Sequence, residues 1–337
     1  MVALLKRSGA KKEGKSWWIS LVFLVVFYFL GQVLDPYNQS QLNVVLIYFI
    51  AILSLVILTG YSGQISLGQG ALMAVGGYVS AISITKFMVP SLLAIVLAVL
   101  GSLLAGLILG LSAARLSGPY LAGATLVVSL AIPSLAIRFE SVLAGDVGIP
   151  LYIGEPPSWL TNVLGPIEFE EWTYIFSLPF AAIILFFVLN LTRSKFGRNW
   201  IAVRDRPVAA ALSGINVERT RIFVFVLSSG IAGLAGALYG LRGIVGPSVY
   251  PTALSLALLT GAVIGGVRHI SGALIGAGIV VFLPDLINSL SGRFAFSQNV
   301  SDYLPAFIGA VLLILTVILN PGGIAGGAHH HRSNSHK

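Results

Sequence analysis

The residues able to do chemistry in this chain are few and mostly neutral. They gather in Gly60-Tyr-Ser-Gly-Gln-Ile-Ser-Leu-Gly-Gln-Gly70, where four glycines fall within eleven positions. Each glycine costs a helix about 1 kcal/mol relative to alanine, so this stretch is predicted to interrupt a helix. At membrane depth, backbone leaves the helix only where protein or a wet cavity receives its polar groups. Transporters present such interrupted segments to their solutes. Gln64, Ser66 and Gln69 supply hydrogen-bonding groups without charge, and Gly63 and Gly68 let other atoms come close. The chemical reading is a substrate path. The plain alternative is a tight turn followed by close helix packing.

A second constellation runs from Arg193 to Gly214 and carries Arg198, Arg204, Asp205 and Arg206. Pro207 suits the first turn of a helix. Val208, Ala209, Ala210, Ala211 and Leu212 continue it, and Gly214 suits its C-terminal stop. A short helix outside the bilayer is expected here, with a small alanine face that another protein can approach. A solvated basic loop near anionic headgroups is the alternative.

Several chemistries have no residues to run them. The 337 residues include no cysteine, which excludes disulfides and thiol catalysis. Neither a His-Glu-x-x-His nor a Gly-x-Ser-x-Gly pattern occurs, and Gly9-Ala-Lys-Lys-Glu-Gly-Lys-Ser16, which has the spacing of a phosphate loop, lies in the basic N-terminus with no strand before it. The chain is therefore not expected to be an enzyme or to hydrolyse ATP itself. His329, His330, His331 and His336 sit in a Gly-rich tail, and no metal site is expected from them. Asp285 is the only carboxylate inside an apolar span, close to its outer end. Carriers driven by protons or sodium place carboxylates in the membrane interior, so energy from an ion gradient is disfavoured. Asp285 reads as a structural partner or interfacial residue.

The elements that position these residues follow from hydropathy. Hydrophobic residues make up 56% and charged residues 9% of the chain, with a mean hydropathy of +0.93. A soluble domain carries about 25% charged residues. A bilayer core needs ~20 helical residues, and ten runs approach or meet that: 17–34, 42–59, 64–85, 91–113, 119–138, 172–191, 221–241, 254–267, 271–290 and 304–320. The fold class expected is all-α, a polytopic transmembrane bundle of about ten spans. Strands are a poor reading, since the runs are apolar on every face. With the N-terminus inside, only Lys86, Arg138, Arg242 and Arg293 of the 20 Lys and Arg fall outside. That satisfies the positive-inside rule and places both termini in the cytoplasm. It also explains the net charge of +8 without nucleic acid. The organisation expected is a basic N-terminus (1–16), a permease domain (17–320) with an outer loop (139–171) and an inner loop (192–220), and a disordered tail (321–337). Gly106/Gly110, Gly236/Gly240, Gly261/Gly265 and Gly272/Gly276 are small-xxx-small pairs, expected to pack helices within the chain.

Segments of both constellations resemble the branched-chain amino acid permeases of ABC importers. Gly60–Tyr78, Arg115-Leu-Ser-Gly-Pro-Tyr-Leu-Ala-Gly-Ala-Thr-Leu, Arg193–Asn216, Phe225–Tyr239 and Pro321-Gly-Gly occur in that family's order and spacing. The resemblance implies a subunit of the cytoplasmic (inner) membrane that carries branched-chain or other neutral amino acids. Permeases for urea, short amides and sugars share the architecture, and a passive channel for small neutral solutes is a further alternative. It implies a second permease subunit, two cytoplasmic ATPase subunits that bind the ATP, and an extracytoplasmic substrate-binding protein, with no cofactor in this chain. In such permeases an Ala-Ala-x-x-x-Gly helix docks on the ATPase. Ala209, Ala210 and Gly214 match it, with Val208 where an acid often opens the motif. Arg198, Arg204 and Asp205 complete the expected coupling set. Gly63, Gln64, Ser66, Gly68, Gln69, Tyr120 and Thr125 are the candidates for the polar path.

Overall fold

The computed structural model describes residues 2–113, 116, 118–294, 298–319 and 322–326. Arg115, Pro321 and the tail histidines lie outside the described residues. The helices are α1 (Val2–Val33), α2 (Pro36–Leu55), α3 (Gln69–Phe87), α4 (Ser91–Ala113), α5 (Pro119–Arg138), α6 (Glu140–Leu143), α7 (Ser158–Leu164), α8 (Phe169–Arg193), α9 (Lys195–Asp205), α10 (Pro207–Leu212), α11 (Val217–Gly240), α12 (Thr252–Gly265), α13 (Ile270–Phe294) and α14 (Gln298–Leu319). Two short strands, β1 (Ile149–Tyr152) and β2 (Arg242–Val245), pair antiparallel, with Ile149 opposite Val245 and Tyr152 opposite Arg242.

Nine helices among the described residues are long and apolar enough to cross a membrane, and the chain is an all-α, multi-pass membrane protein. The run expected at 254–267 is the exception. It forms α12, whose 14 residues rise only about 21 Å, short of a full crossing. The chain re-enters the bundle before α12 as non-helical backbone. The backbone N–H groups of Val249 and Tyr250 close on Gly246 O at 3.1 and 3.3 Å, as membrane depth requires, and hydroxyls at the start of α12 reach neighbouring helices. Tyr250 donates its hydroxyl to Gly236 O at 2.8 Å, and Thr252 Oγ1 donates to Ser129 O, midway along α5, at 3.2 Å.

The centre of the bundle is α2 with the turn that follows it, whose residues from Leu46 to Leu58 are nearly all buried, apart from half-buried Tyr48. It is wrapped by α8, α11 and α13. A helix apolar on all sides belongs in such a position. α11 packs against α3 and α4 through glycine. A Cβ on Gly236 would overlap the Met73 carbonyl, and one on Gly76 would overlap the Gly233 backbone. Gly106 of α4 meets Ser229, and Gly261 of α12 meets Gly276 of α13. Hydrophobicity does not drive helices together in lipid, so close backbone approach of this kind does. All four small-xxx-small pairs face neighbours inside the chain.

Side-chain contacts separate the two ends of the bundle. At one end Arg193 Nη1 donates to Ser16 Oγ (2.8 Å) and Gln64 Nε2 to Arg221 O (3.1 Å). At the other, Gln32 Nε2 donates to Glu171 (3.1 Å), Arg242 Nη2 to Ser40 Oγ (2.8 Å) and Gln41 Nε2 to Asp285 Oδ2 (2.8 Å). The base of α1 thus shares an end with α9 and α10. Asp285 is a hydrogen-bonded partner of α2, as its place near a span end suggested.

Candidate translocation path and coupling surface

The glycine-rich segment breaks the helix where the sequence places the break. α2 widens into a π-helical turn over Val56–Tyr61, and regular helix resumes only at Gln69. Gly63 takes φ +74°, a left-handed conformation open to glycine at little cost. Neighbouring helices receive the freed backbone. Leu67 N donates to Thr125 Oγ1 (2.9 Å), Ser129 Oγ donates to Leu67 O (2.6 Å), and Gly70 N donates to Ser255 Oγ (2.9 Å). Gly68 lies against Thr125, where a Cβ would sit 3.1 Å from the threonine Cβ.

The side chains extend this ladder. Gln64 Nε2 bridges Ser62 Oγ (2.8 Å) and Arg221 O. Ser66 Oγ accepts from Gly68 N (3.2 Å). Gln69 Nε2 donates to Ser228 Oγ (2.9 Å), which in turn donates to Ser54 O (2.9 Å). Gln64, Ser66, Gln69 and Thr125 are all buried. Gln69 Oε1 is a buried acceptor with no partner among the described residues. An unmet acceptor of this kind costs about 1–3 kcal/mol, which a donor from a bound solute or from an alternative packing would relieve.

Of the candidates for the path, Gly63, Gln64, Ser66, Gly68, Gln69 and Thr125 come together. Tyr120 does not join them: it sits in the first turn of α5 with its side chain 77% exposed. Ser54, Ser129, Ser228, Thr252 and Ser255 belong to the ladder and were not singled out from sequence. Their signal was faint but present, as hydroxyls in otherwise apolar spans. A cavity of about 660 Å³ lies elsewhere, between α2, α13 and α14, where Tyr37, Asn38, Gln41, Asp285, Ser289 and Thr316 line it among apolar groups.

Thr125→Val should strip the Leu67 N–H of its acceptor and lower stability by about 1–3 kcal/mol. Thr125→Ser should restore it, and Tyr120→Phe should change neither melting temperature nor uptake. Thermal melts in detergent beside solute uptake check all three. Equal behaviour of Thr125→Val and wild type would remove the threonine from the ladder.

The second constellation caps the end of the bundle that holds Ser16. Ser194 starts α9 by accepting from Phe196 N at 3.1 Å. α9 buries Trp200 and Val203 and lays Phe196 against Phe223 of α11. Pro207 opens α10, and the helix closes with Ile215 N donating to Ala210 O (3.0 Å) and Gly214 at φ +83°. Ala210 faces the bundle. Val208, Ala209 and Leu212 face away, with Val208 74% and Leu212 86% exposed. Gly214 is open, since a Cβ there would meet nothing within 4 Å.

The charged residues of this set behave differently. Arg198 Nη1 folds back to Arg193 O (3.3 Å), at the end of α8. Arg204 Nε donates to Asp205 Oδ1 at 2.8 Å, and its Nη1 donates to the carbonyl of Gly60. The hydrogen bond from Arg204 holds the Asp205 carboxyl below the usual carboxylate range, helped by the charges of Arg204, Arg268 and Arg206. Asp205 is therefore ionised at neutral pH.

Residues 39–317, from α2 through most of α14, match the family described as branched-chain amino acid transport system / permease component. The chain belongs to this family. Among its relatives, the permease is 28% identical over 298 residues to the high-affinity branched-chain amino acid transport system permease protein LivM of Salmonella typhimurium, covering 83% of this chain and 68% of LivM. It is 30% identical over 269 residues to the probable branched-chain amino acid transport permease protein LivH of Methanocaldococcus jannaschii, covering 77% and 82% of the two chains. It is 28% identical over 342 residues to the L-arabinose ABC transporter permease protein AraH of Azospirillum brasilense, covering 94% and 88%. Family membership makes the permease a transport subunit rather than an enzyme. Among its described residues, no three His, Asp or Glu side chains gather in a way that could hold a metal ion.

Proposed function

We propose that this permease is the membrane subunit of an ATP-driven importer, and that it passes leucine, isoleucine, valine or related neutral amino acids across the cytoplasmic membrane. The observation that carries the reading is α10, a helix held against the bundle by Ala210 while Val208 and Leu212 stand in solvent beside exposed Arg206. Exposed apolar side chains on a basic face await a protein partner. An ATPase subunit on each of two permease subunits is the partner proposed, with Val208, Ala209 and Gly214 at the contact. A binding protein on the opposite face delivers the solute. The Lys and Arg distribution orients α9, α10 and both termini toward the cytoplasm.

The path proposed runs along the ladder of Gly63, Gln64, Ser66, Gly68, Gln69 and Thr125. Its groups are neutral, so they complement a solute through hydrogen bonds while apolar neighbours accept an aliphatic side chain. With no ionisable group in the ladder, binding and hydrolysis of ATP by the partner must bias the inward- and outward-open states.

Uptake of labelled leucine in cells tests the reading. A protonophore applied with ATP held constant should leave uptake in place, and ATP depletion should end it. Collapse on protonophore alone would favour a gradient-driven carrier. The similarity to AraH over 94% of the chain, together with a path rich in hydroxyls, favours a sugar as the second reading. Competition by arabinose rather than by leucine would select it.

A further inference from the structure

We infer that Arg204 is a positioning residue that ties the surface helix α10 to the broken segment of the path. This rests on the ATP-driven reading above and adds the route by which α10 moves the ladder. Arg204 lies on α9, three residues before Pro207 opens α10. Its side chain is only 20% exposed, against 53% for Asp205 beside it. It points inward, away from the surface an ATPase would meet.

The guanidinium holds two groups at once, and the stem of the side chain packs on a third residue. Its Nε donates to Asp205, and its Nη1 donates to the Gly60 carbonyl. Its Cγ lies where a Cβ on Gly63 would come to 2.6 Å. Gly60 is a strategic place to hold. It lies in the π-helical turn, where Ser62 N reaches back to Ile57 O, Gly63 N to Thr59 O and Gln64 N to Leu58 O. The Gly60 carbonyl is thus left to Arg204. A planar fork of five donors can serve a carbonyl and a carboxylate together, which a single ammonium does poorly.

Gly60 also abuts the α12–α13 turn, since a Cβ on it would overlap the Val267 carbonyl. The far end of the broken segment is fixed to α12 by Gly70 N on Ser255 Oγ (2.9 Å). The segment from Gly60 to Gly70 is thus held at both ends, and between them Leu67 is bonded to Thr125 and Ser129 and Gln64 to Arg221. Of the holds at the two ends, Arg204 is the one that moves with α9 and α10. A displacement of α10 pulls on the π-helical turn and so on Gln64, Ser66 and Gln69.

The test uses the assembled importer in proteoliposomes, with ATP hydrolysis and solute uptake measured on the same preparation. Arg204→Ala is expected to keep the ATPase subunits bound and hydrolysis within about twofold of wild type, while uptake per ATP falls about tenfold, within the usual range for coupling between sites. Arg204→Lys should recover part of that ratio. Gly63→Ala, which crowds Arg204 from the far side and lies away from α10, should lower the ratio as well. Asp205→Asn should lower it less, because the bond to Gly60 survives.

An unchanged ratio in Arg204→Ala would overturn the inference, as would uptake and hydrolysis falling in proportion. Loss of the ATPase subunits from Arg204→Ala would also overturn it, by making Arg204 a surface contact. If the wild-type assembly itself carried solute without ATP, the ATP-driven reading would fail instead, and the two failures are thereby distinguished.

Discussion

Replacing Val208 and Leu212 together with aspartate is expected to abolish ATP-dependent uptake while leaving the permease folded and inserted. Both side chains are almost free of contact with this chain, at 74% and 86% exposure, so the bundle loses nothing when they change. In the docking proposed, everything they contribute is to the ATPase. Burying a valine or leucine side chain contributes about 1.5–3 kcal/mol, and a carboxylate forced into the same pocket adds a desolvation cost. The expected loss of ATPase affinity is therefore on the order of a thousandfold. Co-purification of the ATPase subunits with tagged permease measures it directly, beside uptake in the same membranes. Wild-type co-purification and uptake from the double variant would take α10 out of the contact.

The largest effect on the fold itself is expected from Gly236→Val. The Gly236 backbone lies against the Met73 carbonyl, and one turn away Gly233 lies against Gly76. No rotamer change relieves an overlap between Cβ and main chain, so α3 and α11 must separate along their whole contact. Serine and glycine contacts of α11 with α4, at Gly106 and Ser229, would shift with them. Overpacking of a tight core costs about 1–3 kcal/mol, and here the upper end applies because close approach is what holds helices together in lipid. A matched control is Gly123→Ala on α5, where a Cβ would meet nothing within 4 Å and a more helical residue gains about 0.5–1 kcal/mol. Melting in detergent, followed by loss of the monodisperse species, should rank Gly123→Ala at or above wild type and Gly236→Val far below it. Equal melting of Gly236→Val and wild type would contradict the packing described.

Much of the fold was legible because it depends on properties written along one dimension. Helix length against bilayer thickness gave all the long spans, and the glycine-rich run at 60–70 gave the break. Pro207 and Gly214 bounded α10, since each acts through its own backbone. What needed three dimensions was missed. β1 and β2 are four-residue strands whose partners lie far apart in the chain, so neither carries a periodic signal of its own. The run at 254–267 reads as a span from its apolarity alone, although it is no longer than the 14-residue helix it forms. Facing was also unreadable. A helix apolar all round has no polar side to orient it, which is why exposed Tyr120 and buried Thr125 looked alike. For the same reason Ser129, Ser228 and Ser255 did not stand out as one ladder. Arg204 read as a surface charge because its neighbours are charged, whereas its long side chain reaches inward to Gly60.

Reconstitution from purified parts tests the central claim most directly. The permease with its partner permease, ATPase and binding protein is placed in liposomes, with and without ATP on the α10 side. Leucine should enter only when all components and ATP are present, and the permease alone should carry none. Full-rate leucine entry into liposomes holding this chain alone would contradict the account.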